Sequence, residues 1–384
     1  MYVSMSLRSF ALSLVGIFVP IYLYTLGYSI RNIFLFYLMA NAFQFFGDFF
    51  TGYAIAKFGA KKMLALSYPV VALNITILAT MSAFHWPLWF PALTLALAQN
   101  LFWTPYHDDF SKAKSKKSTG KEVGNWIILS ELFGALGPLI GGIVAQAYGV
   151  QYGLIAALII IICAVFPLLG KREIVKKRPI HHSFSAFKKS YKDLIAYGGL
   201  SLEGMTLGII WPLFLFLFIK SYAKVGFIVT FSLLVVVALS ILMGKLTDKY
   251  KKEKVMRAGS LAGFLTATTR TLATGVGTAY VVSTVSSLSQ IFLYIPFFSV
   301  YYLHADKSPR TEYISMMEMS VDVFRGVLYA VLFLATFFLP DKSVFLIAFG
   351  FAAIGSLSTM LIAGSGKQKT KKIKVHKEIA KAGT

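Results

Sequence analysis

Twelve apolar stretches, most of them long enough to cross a bilayer as helix, follow one another along this 384-residue chain. They fall at roughly 5–27, 31–57, 61–83, 86–107, 123–147, 150–170, 194–220, 222–247, 254–274, 277–304, 311–338 and 341–363. Lipid leaves no partner for an open sheet edge, and barrel strands would alternate apolar with polar residues. The expected fold is therefore all-α: a polytopic membrane protein of twelve transmembrane helices. Composition agrees, with 57% hydrophobic and 14% charged residues, against roughly 25% charged in soluble domains. A net charge of +22 does not point to nucleic acid, because the basic residues lie between apolar segments rather than on one soluble face. Cys163, the one cysteine, can form neither an internal disulfide nor a thiolate metal site. No metal or cofactor is expected. The first stretch lacks a basic leader and a small-residue cleavage site, so it reads as an uncleaved span.

Lys and Arg concentrate in one set of connections: Lys57, Lys61 and Lys62, then 112–121, 171–192, 245–257, Lys307 and Arg310, and the tail. The opposite set holds Arg31, Lys220, Lys224 and Lys342. This asymmetry predicts cytoplasmic termini and an integral protein of the cytoplasmic (inner) membrane. The basic loops and the tail suit contact with anionic lipid, although positive-inside bias alone also predicts them.

The chain also repeats itself. Gly16-Ile-x-x-Pro20-x-aromatic-Leu23-aromatic recurs as Gly208-Ile-x-x-Pro212-x-aromatic-Leu215-aromatic, an offset of 192. GYAIAKFGAKK from Gly52 and GKLTDKYKKEK from Gly244 repeat at the same offset. Two pseudo-symmetric six-helix bundles are expected, 1–170 and 194–363, with a basic cytoplasmic linker at 171–193 and a basic tail at 364–384. Parallel repeats of this kind occur in secondary transporters, with the substrate site near mid-membrane between the halves.

The two glycine-to-lysine segments resemble the cytoplasmic loop signature of the major facilitator superfamily, and GALGPLIGG, Gly134 to Gly142, is similar to its Gly-Pro-x-x-Gly-Gly signature. The resemblance covers the whole chain. It implies a helix-packing role for Gly137, Pro138, Gly141 and Gly142, and a cytoplasmic gate at Gly52, Lys61, Lys62, Gly244 and Asp248. The first half departs from the pattern: Ala56 stands where the second half keeps Asp248. The resemblance thus implies a lopsided latch, carried by Asp248 or the nearby Asp48, unless Asp248 only caps a turn.

Ionisable residues inside spans are costly and mark functional candidates. Asp48, Glu131 and Glu203 fall at similar depth in spans two, five and seven, an acidic set suited to a proton or a cation if all three face a central cavity. For Asp48 a tether to a neighbouring helix is the competing reading. Trp211, on the helix of Glu203, is the candidate pocket aromatic. Glu318, Asp322 and Arg325 share one face of span eleven at i, i+4 and i+7. They read either as a self-neutralised cluster, Arg325 bridging Asp322, or as a pair that exchanges partners during transport. His107 and Asp108 form a possible gate, set against a solvated helix end meeting the 112–121 loop. With no second histidine at i+4, a metal site from this segment alone is disfavoured.

No phosphate-cradling GxxxxGK[ST] motif is present, and no nucleophile–base pair suggests an enzyme. The leading expectation is a monomeric secondary active transporter of a small molecule, exporting an amphipathic or cationic compound in exchange for protons by alternating access. A nutrient importer, a lipid flippase and a non-transporting scaffold on the same fold are the alternatives.

Overall fold

A computed structural model of the chain describes residues 2–113, 132, 134–166 and 184–362. Among these residues there is helix in each of the twelve expected spans and no strand. The first span comprises Tyr2–Val15 and Val19–Thr25, the second Ile30–Phe58, the third Ala60–Ala79, and the fourth Trp89–Asn100 and Trp103–Ala113. Gly137–Ala147 belongs to the fifth and Val150–Val165 to the sixth. The seventh runs Phe184–Met205 and Trp211–Ile219, the eighth Tyr222–Lys249, the ninth Lys252–Thr269 and the tenth Val276–Asp306. Arg310–Ala335 and Asp341–Ser358 complete the set. Glu131, residues 171–183 of the expected linker and the tail 364–384 lie outside the described residues.

Proline explains where the spans break. A proline has no N–H for the carbonyl four residues back. Pro20 frees the Gly16 carbonyl, and the first span tightens into a 3₁₀ turn at Gly16–Phe18. Pro212 frees the Gly208 carbonyl, and the seventh span loosens into a π turn at Thr206–Ile210. The two breaks occupy equivalent positions of the repeat. Pro105 acts likewise on the Leu101 carbonyl, where the fourth span is interrupted.

The repeat extends to packing. Spans one and six, one and five, three and six, two and four, and three and four contact one another in the first half. Seven and twelve, seven and eleven, nine and twelve, eight and ten, and nine and ten do so in the second. The halves meet through two symmetry-related pairs, two with eleven and five with eight.

The Gly-Pro-x-x-Gly-Gly segment makes the five–eight contact possible. A Cβ on Gly137 or Gly141 would strike Ser13 or the Leu14 carbonyl of the first span, and one on Gly142 would lie 2.6 Å from the Tyr222 carbonyl oxygen of the eighth. Gly226 has the same role toward the Pro138 carbonyl. The Leu139 N–H, which has no intrahelical acceptor so near the helix start, donates to Thr230 Oγ1 at 3.0 Å.

Two boundaries differ from expectation. The seventh helix already begins at Phe184, inside the expected 171–193 linker. The buried face of this helix, Asp193, Ala196, Tyr197 and Leu200 at helical spacing, starts at the last residue of that linker. Asp193 Oδ2 accepts from Tyr313 Oη at 3.0 Å and meets His304 Nδ1 at 2.9 Å, which pins this extension to spans ten and eleven. The ninth helix stops at Thr269 rather than near 274, because Arg270 turns inward on a 3₁₀ turn.

Candidate functional site

The contact between spans two and eleven is the most extensive in the structure and carries the polar residues. On the second span Tyr37, Asn41, Gln44 and Asp48 are buried at i, i+4, i+7 and i+11, one stripe of a helix otherwise rich in Phe. The eleventh answers with Glu318, Asp322, Arg325 and Tyr329 at the same intervals; Arg325 is half-buried and the rest are buried. The helices are antiparallel, so the tyrosines pair at one end and the acids at the other. Tyr37 and Tyr329 stack with ring centroids 5.2 Å apart.

Asp48 is fixed by two neighbouring helices. Thr104 Oγ1 of the fourth span donates to its Oδ1 at 3.1 Å, and Ser315 Oγ of the eleventh donates to its backbone carbonyl at 2.9 Å. Asp322 faces it within hydrogen-bonding reach. Neither carboxylate oxygen of Asp322, both buried, has a hydrogen-bond donor. The expected Asp322–Arg325 bridge is not formed, because Asp322 turns toward the second span.

Glu318 lies one turn nearer the end that carries the basic loops. Its Oε1 accepts from Tyr197 Oη of the seventh span at 3.0 Å and lies 3.7 Å from His107 Nε2 of the fourth. His107 Nδ1 meets Tyr302 Oη of the tenth span at 2.7 Å, and its ring stacks between Trp103 and Phe298. Asp108 Oδ1 accepts from Thr311 Oγ1 of the eleventh at 2.8 Å, and Asp108 also pairs with Lys112. His107 and Asp108, 1% and 0% exposed, are therefore not a solvated helix end. They join the halves at the basic end.

At the other end Arg31 donates to the Thr336 hydroxyl and carbonyl at 3.3 Å each, and Thr25 Oγ1 meets Tyr222 Oη at 2.9 Å. Gln146 Oε1 accepts from the Tyr222 N–H at 3.0 Å. Contacts between the halves thus hold both ends of the interface.

Of the expected acidic trio, Glu203 stands apart from Asp48, and Glu131 lies outside the described residues. Glu203 receives two hydrogen bonds from Arg270 in a fully buried ion pair inside the second half, so its charge is committed away from Asp48. Trp211 also points into the second half rather than into a pocket between halves. Its Nε1 donates to Ser283 Oγ at 2.8 Å, and its ring stacks on Phe214 and meets Phe349 edge-on. Gly52 and Gly244 are buried on spans two and eight, whereas Lys62 and Asp248 are exposed and Lys61 half-buried. Sequence reasoning missed Tyr37, Asn41 and Gln44, although their helical spacing was visible, and Tyr197, Tyr302 and Thr311, which carry no local signal.

Two parallel six-helix repeats with a buried polar seam between them define a membrane transporter rather than an enzyme. The sequence profile of the Major Facilitator Superfamily matches residues 1–328, and the chain belongs to that family. Solved transporter structures share the fold, two of them as follows. The E. coli fucose:proton symporter FucP, solved as a point variant, is 13% identical with a TM-score of 0.63, over 92% of this chain and 96% of that one. The nucleoside transporter NupG, also a point variant, is 16% identical with a TM-score of 0.67, over 94% and 99%. No curated protein matches the sequence.

Proposed function

We propose that this transporter is driven by protons and exports an amphipathic or cationic small molecule by alternating access, with the basic end in the cytoplasm of an inner-membrane monomer. The observation that carries this reading is the carboxyl group of Asp48, buried between the halves and facing Asp322 and Glu318. A buried acid at the surface along which two rigid halves separate is exposed to one side or the other as they rock, which is what a proton carrier requires. Glu203 is neutralised by Arg270 and serves the fold. Glu131 remains a candidate partner of Asp48. The name of one structural neighbour, a fucose:proton symporter, suggests a second direction, uptake by symport. Purified protein in liposomes, supplied with a panel of organic cations, sugars and nucleosides under an imposed pH difference, separates the two. Export by exchange drives substrate toward the acidic compartment; symport drives it the opposite way. Fluxes indifferent to the pH difference would rule out proton drive.

The gate follows from the same geometry. Ala56 removes the first-half acid of the loop signature, and Asp108 and His107 at the end of span four supply the closing contacts instead. Thr311→Val deletes the hydrogen bond that crosses between halves to Asp108. A bond to a charged group contributes about 1.5–3 kcal/mol, so the closed-to-open ratio at the basic end should fall by roughly tenfold or more. Alkylation of a cysteine introduced at the buried Ile314, one turn from Thr311 and outside the gate contacts, in a Cys163→Ser background, should accelerate accordingly. An unchanged rate would remove Asp108 from the gate.

A further inference from the structure

We propose that Asp48 and Asp322 bind a single proton between them, and that this shared proton clips the two halves of the protein together along the seam of spans two and eleven. The inference rests on the proton-driven reading above and identifies where the proton is held and what it does there.

An ionised carboxylate only accepts hydrogen bonds. Asp48 and Asp322 face one another within hydrogen-bonding reach, so two ionised groups would meet with no hydrogen between them and like charges in contact. Asp322 is 1% exposed, and no N–H or O–H approaches either of its oxygens. Buried acceptors are almost always satisfied. A proton on one carboxyl supplies the missing donor, and the pair becomes a short charge-assisted hydrogen bond of one net negative charge. Arg325, on the next turn, acts electrostatically on both acids and offsets that charge.

The surrounding groups leave this proton no better place. Thr104 already gives its hydroxyl hydrogen to Asp48, and Tyr197 gives its own to Glu318. His107 is held by Tyr302 and reaches Glu318 rather than the pair. Tyr301 of the tenth span, fully buried and electrostatically linked to Asp48 and Glu318, has a hydroxyl with no hydrogen-bond partner. Its hydroxyl bonds to neither acid, so it does not supply the donor that the pair lacks.

The consequence is conformational. One partner belongs to each half, so the pair exists only while the seam is shut. The closed state therefore binds one more proton than the open state. By linkage, acidification favours closure, and the effect disappears as pH rises. One proton corresponds to at most about a tenfold change in the closed-to-open ratio per pH unit.

The test uses full-length protein in lipid nanodiscs, with spin labels at Lys62→Cys and Lys307→Cys, exposed positions on opposite halves at the basic end, in a Cys163→Ser background. Distance distributions across a pH series should show the closed population growing with acid. Asp322→Asn supplies an amide N–H to Asp48 without a proton, so its closed fraction should be high and independent of pH. Asp48→Asn should behave in the same way from the other side. If both variants keep the pH slope of the unmutated protein, or if that protein has none, the proposal is wrong. Should Asp322→Asn fail to fold, Asp48→Asn and the infrared spectrum of the unmutated protein decide: a protonated carboxyl band at mildly alkaline pH is expected, and its absence overturns the proposal. Liposome flux separates the two levels. Proton-driven flux with an unaltered slope in the variants rejects the pair alone, whereas a lost slope with flux indifferent to the pH difference rejects proton drive and leaves the pair as a lock.

Discussion

Arg270→Ala should destabilise the protein by about 3–5 kcal/mol, because it leaves the carboxylate of Glu203 buried without its counter-charge. Both side chains are buried, 0% exposed at either residue, and Arg270 engages both carboxylate oxygens. Water cannot reach the stranded charge, so no solvation offsets the loss. The position magnifies the effect. Glu203 stands just before the π turn that interrupts the seventh span, and Arg270 begins the 3₁₀ turn that ends the ninth. The pair ties two interrupted helices at the point where their own backbone bonding is weakest. Glu203→Met combined with Arg270→Met removes both charges and keeps the volume, and replacing a buried pair by apolar groups is often neutral. Thermal unfolding in detergent should therefore show a large fall in Tm for Arg270→Ala and a recovery in the double variant. Equal losses in the two would mean that packing, not charge, fixes this contact.

That pair also shows where the sequence stops being readable. Twelve spans are legible because lipid imposes one solution on every apolar run, and the repeat is legible because Pro20 and Pro212 break their helices at equivalent positions. Glu203 and Arg270 are 67 positions apart and sit on different helices. Periodicity along one helix reports which residues share a face, not which helix that face meets. Depth alone therefore groups Glu203 with Asp48, although its partner lies inside its own half.

The fourth span fails for a related reason. Adjacent residues such as His107 and Asp108 point about 100° apart on a helix, and nothing local shows what either one meets. Each in fact finds a different helix of the other half, His107 the tenth through Tyr302 and Asp108 the eleventh through Thr311. That divergence suits a gate touching two helices. The eleventh span went the other way. Its shared face was legible, but the same face brings Asp322 to the second span, where Asp48 rather than Arg325 lies opposite. A matching stripe on the second span, Tyr37 to Asp48, was the signal that a partner for that face existed.

Asp48→Asn should abolish uphill accumulation of substrate while leaving exchange across the membrane intact. The substitution keeps the shape and the acceptor: Asn Oδ1 can still receive the Thr104 hydroxyl, and the backbone carbonyl keeps its bond from Ser315. Its new amide N–H meets the unsatisfied oxygens of Asp322, so the seam should close at least as well as before. What disappears is the site at which a proton is bound and released in each cycle. With one proton exchanged per substrate, a pH difference of one unit supports about a tenfold substrate gradient at equilibrium, since each 1.4 kcal/mol is a factor of ten. Asp48→Asn should level out at a ratio near unity. Counterflow, in which labelled substrate exchanges against unlabelled substrate with no pH difference, needs only the rocking of the halves and should persist, at a lower rate because the closed seam is favoured at every pH. The two assays separate the roles Asp48 can have. Loss of both would assign it to substrate binding, and a preserved tenfold gradient would remove it from proton coupling. Asp48→Ala distinguishes charge from contact, because it abandons the Thr104 hydrogen bond as well. It should therefore lose counterflow and thermal stability that Asp48→Asn retains.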